Sequence, residues 1–173
     1  MKLKNLVLAM AGLAALCVPA SAQAPASNPL DAIPDAMPFN TPYGAPIALA
    51  EARRLIDAVE AETRRRGWAM NVAVVDPGGN LVAFDRMDGA QLASVEIAQH
   101  KARTAAAFRR ETKAFEAGIN GGNYGQLTLD GVIASRGGLP LIQGGKIVGA
   151  IGCSGGTSSQ DEAVCKVGAA LVK

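Results

Sequence analysis

Residues 137–162 read GGLPLIQGGKIVGAIGCSGGTSSQDE, and no other stretch limits the fold of this chain so tightly. Two apolar runs, 139–143 and 146–153, meet at Gly144-Gly145, a dipeptide that supplies the positive φ angles of a two-residue hairpin turn. The second run passes into Ser154-Gly155-Gly156-Thr157. Ser159, with Glu162 three residues on, then reads as a capping box for a helix carrying Val164, Val167 and Leu171 on one side. The expected unit is a β-hairpin whose second strand turns directly into a packing helix.

The rest of the chain supplies partners for that unit. Ala48, Ala52, Leu55, Ile56, Val59 and Thr63 recur at helical spacing, and Arg64-Arg65-Arg66 before Gly67 places cations and a glycine where a helix ends. Residues 71–76 and 81–87 flank Pro77-Gly78-Gly79-Asn80, a second hairpin whose strands are apolar at nearly every position, as burial on both faces or against a partner requires. An alanine-rich helix is expected over residues 92–108 and a short one over 112–118. Residues 131–135 read equally as a loop beside a site or as an extra edge strand. Helices and hairpins in this order predict an α+β domain, a four- to five-stranded, mainly antiparallel sheet with packed helices, and not a doubly wound fold.

Three segments follow from composition. Residues 1–24 read as a secretory signal: Lys2 and Lys4, an apolar run over 6–18 too short to span a bilayer, then the overlapping small-x-small sites Ala20-Ser21-Ala22 and Ala22-Gln23-Ala24. Leu16 before Cys17 does not suit a lipoprotein signal, so Cys17 reads as part of the removed segment. Residues 25–46 hold six of the nine prolines and form an arm, extended or disordered, that should contribute little to the fold. Residues 47–173 form the domain. Without Lys2 and Lys4 the chain has 15 basic and 15 acidic side chains, which removes the electrostatic case for nucleic acid or an anionic membrane as partner. A periplasmic or extracellular location follows from the signal. Cys153 and Cys165 would then meet an oxidising compartment; two small buried thiols are the favoured reading, a bridge the alternative.

The stretch at 137–162, together with NVAVVDPGGNLVAFDRMDGA at 71–90 and IAQHKARTAAAF at 97–108, closely resembles the GlcG/HbpS family of haem-binding and haem-degrading domains, related to the C-terminal domain of some corrinoid adenosyltransferases. The resemblance covers residues 46–173. It implies a PAS/profilin-like layout, haem as cofactor, haem breakdown as an activity of some members, and a homo-oligomer in a closed ring or stack. A non-catalytic module that binds another small ligand or a partner protein, accessory to a sensor or to carboxylic-acid metabolism, is the alternative. No catalytic residue can be named.

Among candidate ligands, His100 is the only histidine and would be the default ligand of a haem iron. It groups on the helical wheel with Glu96 and Arg103, which should pair with it in water. On the other side Ile97, Lys101, Thr104 and Phe108 fall at i, i+4, i+7 and i+11, so a cation and a hydroxyl lie among core positions. A buried lysine needs a carboxylate, whether an internal one such as Asp76 or Asp85 or that of a ligand. The expectation drawn is that a haem propionate meets Lys101, with Phe108 beside it, and that the metal is met by Thr104, with His100 as the other candidate. The glycine-rich turn at 154–157 has the exposed amides of an anion site, but Asp161 and Glu162 in the next turn oppose an incoming anion. It lacks the glycine-lysine-serine/threonine ending of a P-loop, and no histidine, cysteine or carboxylate cluster has metal-site spacing.

Overall fold

Alanine and glycine set how closely the layers of this molecule approach. The computed structural model describes residues 28–173, so the expected signal segment and Cys17 lie outside the described residues. Among the described residues there are four α-helices, α1 (Leu49–Arg65), α2 (Ser94–Phe108), α3 (Lys113–Asn120) and α4 (Ser158–Ala169). The four strands are β1 (Asn71–Val75), β2 (Leu81–Arg86), β3 (Gly138–Gln143) and β4 (Lys146–Ser154). The sheet runs β2-β1-β4-β3 with every neighbouring pair antiparallel. The fold is the expected α+β domain, with four strands; residues 131–135 are loop.

Strand alternation sends successive side chains to opposite faces. Val72, Val74, Ile151 and Cys153 join Leu55, Ile56 and Val59 of α1 and Val164 of α4 in the larger core. Ala73, Val75 and Ala150 meet Ala98, Ala102, Ala105 and Ala106 of α2 on the other face. The sheet therefore lies between α1 and α4 on one side and α2 on the other. The α2 interface is so thin that a Cβ on Gly152 would collide with the Ala98 carbonyl, and one on Gly138 with the Lys101 carbonyl. β1 is buried throughout, as the double-sided apolar pattern requires, but β2 is half exposed because it is a sheet edge.

Three local expectations need correction. The β4–α4 junction is capped by Thr157, whose hydroxyl accepts from the Gln160 N–H while the Gln160 side chain accepts from the Thr157 N–H; Ser159 is already inside the helix. Cys153 and Cys165 form a disulfide, with Cα atoms 5.6 Å apart, because α4 folds back over β4 and turns Cys165 toward the strand. The arm also contributes to the sheet near its end. Gly44 N–H donates to the Ile147 carbonyl and Ile147 N–H to the Pro42 carbonyl, both at 2.8 Å, so the chain at 42–47 extends β4's ladder beyond the end of β1. Tyr43 donates its hydroxyl to the Ala106 carbonyl at the end of α2, and Arg109 covers its ring. The main compact unit runs from Pro34 to Lys173. Residues 28–33 carry a single 3-10 turn, Pro29–Asp31, capped by the Asn28 side chain.

Candidate functional site

Helix α2 has two faces with different tasks, and the site lies on the outer one. Glu96, Ile97, His100 and Arg103 fall within two turns and line a cleft of about 330 Å³, open to solvent, whose other wall is Gly131. That wall is fixed by Thr104, whose hydroxyl donates to the Gly131 carbonyl at 2.8 Å and accepts from the Ile133 N–H at 3.2 Å. Ile97 and His100 are half-buried, while Glu96 and Arg103 are exposed. Arg103 is held: its guanidinium donates to Gln99 Oε1 at 2.9 Å, and its aliphatic stem lies against Gly79 of the β1–β2 turn. The expected mutual pairing of Glu96, His100 and Arg103 is replaced by this Gln99 contact, and His100 makes no hydrogen bond among the described residues. Large exposed apolar side chains flank both walls in sequence, Leu92 ahead of Glu96, and Tyr124, Leu127 and Leu129 ahead of Gly131.

The inner face of α2 is closed. Lys101 is 1% exposed, and its Nζ lies 2.6 Å from Asp161 Oδ2 and 3.3 Å from the Cys153 carbonyl. Asp161 is itself 3% exposed, and its Oδ1 accepts from the N–H groups of Gly155 and Gly156 at 3.1 and 3.0 Å. The partner sought in Asp76 or Asp85 is therefore Asp161, and the anion at the glycine-rich turn is this same carboxylate. A pair this well satisfied leaves neither Lys101 nor the turn amides in need of a ligand. Asp76 instead accepts from Asn80 within the β1–β2 turn, and Asp85 lines a smaller cleft with Arg53 and Asp57. Thr104 is fully buried behind the Gly131 wall. Phe108 stands edge-on to Phe115, ring centres 5.3 Å apart, as a core aromatic pair. Of the four residues expected to meet a ligand, only His100 reaches the cleft.

One signal in the sequence pointed to this arrangement without resolving it. The opposed polar sides of α2 were visible, but the side that required a partner obtained it from a residue 60 positions away. Gly131 carries no side chain to mark it, and its position in the wall depends on the Thr104 hydroxyl.

The fold is a three-layer α+β domain with a half-open cleft along one face of α2. The family model for haem degrading protein HbpS-like matches residues 47–170, and the chain belongs to that family. It is 40% identical to Protein GlcG of Escherichia coli K12 over 103 residues, 60% of this chain and 77% of GlcG. Its fold is similar to the crystal structure of Klebsiella pneumoniae protein ORFY, with a TM-score of 0.69 and 32% identity over 76% of this chain and 93% of ORFY. It is also similar to PduOC, solved as a haem complex, with a TM-score of 0.67 and 25% identity over 75% of this chain and 96% of PduOC.

Proposed function

We propose that this protein binds haem in the α2 cleft, with His100 as the protein's ligand to the iron. Membership of the HbpS-like family supports the cofactor. One observation carries the site: His100 is the only ring nitrogen donor in the chain's cleft, half-buried beside Ile97 and free of hydrogen bonds among the described residues. These residues fit the group. An imidazole can bind iron, Ile97 can take part of the porphyrin edge, and the open side leaves room for its bulk. Haem held there would supply an iron centre for reaction with peroxide, and membership of a family described as haem degrading supports extending the proposal to peroxide-dependent haem breakdown. Thr104 shapes the wall and Lys101 supports the helix from inside.

The chain is further proposed to act outside the cytoplasm, on the strength of residues 1–24, and as a homo-oligomer, since the exposed edge strand β2 carries Leu81 outward. N-terminal sequencing of exported protein and light scattering check these two readings.

The deciding experiment is a haem titration read at the Soret band for the parent and for His100→Ala, Thr104→Val and Lys101→Met, each checked for folding by circular dichroism. The Soret shift is expected to be lost in His100→Ala, weakened in Thr104→Val, which frees the Gly131 wall, and kept in Lys101→Met. Parent-like binding by His100→Ala overturns the ligand assignment, and a parent that binds no haem overturns the function. Peroxide added to the complex should bleach it and release iron; a stable spectrum would make the protein a carrier only.

A further inference from the structure

The cleft is polarised along its length. Glu96 and Arg103 stand at its two ends, seven residues apart on α2, which places them about 10 Å apart along the helix axis. Among the described residues neither is neutralised by the other: Arg103 is engaged by the uncharged Gln99 amide, and its stem rests on the β1–β2 turn at Gly79. A guanidinium fixed in direction by a neutral acceptor keeps its remaining donors and its full charge for a carboxylate arriving from the cleft. The opposite end repels one. Lys101, which the sequence offered for this task, is spent on Asp161.

We infer that Arg103 is the carboxylate anchor of the cleft and that it orients an asymmetric ligand, propionate side toward Arg103 and apolar side toward Glu96 and the approach to α2. Gln99 is the positioning residue that aims the guanidinium. The inference rests on the haem reading above and adds to it the direction in which the ligand lies.

The test titrates haem and its dimethyl ester, in which both propionates are masked, against the parent, Arg103→Gln, Arg103→Lys and Gln99→Ala. Arg103→Gln should lose about tenfold in affinity for haem, the scale of one charge-assisted hydrogen bond at a solvent-open site, and nothing for the ester. Arg103→Lys should recover part of the loss, and Gln99→Ala should show a smaller loss confined to haem. If Arg103→Gln binds haem as the parent does, the anchor is elsewhere and haem binding itself stands. If it loses haem and ester equally, Arg103 acts through the fold and the inference fails. A parent that binds neither compound removes the haem reading, and this inference with it.

Discussion

Lys101 and His100 are adjacent in sequence and about 100° apart around the same helix, Lys101 turned into the interior and His100 toward the cleft. Lys101 is locked to Asp161 in the interior, so its loss strands a carboxylate that has no access to water. Lys101→Met is expected to cost about 3–5 kcal/mol in chemical denaturation, as removal of one member of a buried pair does. Adding Asp161→Asn, which removes the stranded charge and keeps an oxygen for the Gly155 and Gly156 amides, should restore part of that stability. If Lys101→Met denatures like the parent, the pair is not the internal support described. The sequence showed that Lys101 would be buried and require a carboxylate. It did not show which, because Asp161 read as an ordinary first-turn acid that complements a helix dipole.

Elements were legible where a local rule fixed them and blurred where a distant contact did. Gly144 and Gly145 both take positive φ, 55° and 75°, as their place in a two-residue hairpin turn demands, and Gly67 ends α1 at a φ of 69°. The end of the arm was misread because proline spacing says nothing about what lies alongside. Pro42, Gly44 and Tyr43 find partners only once β4 and α2 are in place. A chain beginning at Ala45 should lose about 2 kcal/mol, near two well-formed hydrogen bonds, or roughly 6–10 °C in melting temperature. An unchanged melting curve would return the arm to the passive role first expected. The disulfide was legible as a possibility, since Cys165 lies 12 residues beyond Cys153, but only the return of α4 over β4 brings their Cα atoms within bridging distance.

At the scale of the whole molecule, one charge network ties α3, α4 and the approach to β3 together. Arg136 pairs with Glu116 and with Glu162, and Glu162 also takes Lys113 and Lys166. Hydrogen bonding from Arg136 holds the Glu116 carboxyl below its usual range, against the opposing effect of burial. Burial pushes the Glu162 carboxyl up, but hydrogen bonds from Lys166 and Lys113 outweigh it and leave it lowered. Both groups titrate lower folded than unfolded, so their stabilisation is complete above the ordinary glutamate pKa of about 4.3 and is lost as pH falls through that range toward the lowered values. Melting temperature should therefore hold level from neutral pH to about 5 and then decline, and Glu116→Gln should flatten the decline. An equally steep acid limb in that variant would place the loss in other carboxylates. The contrast between the two faces of α2 has a consequence for how such a protein can diversify. Its inner face rests on Gly138 and Gly152, where not even a methyl group can be added, while the stripe from Glu96 to Arg103 lines a cleft open to solvent. Substitutions can accumulate along that stripe without disturbing the scaffold, so descendants of one such domain can exchange one small molecule for another and keep the same backbone.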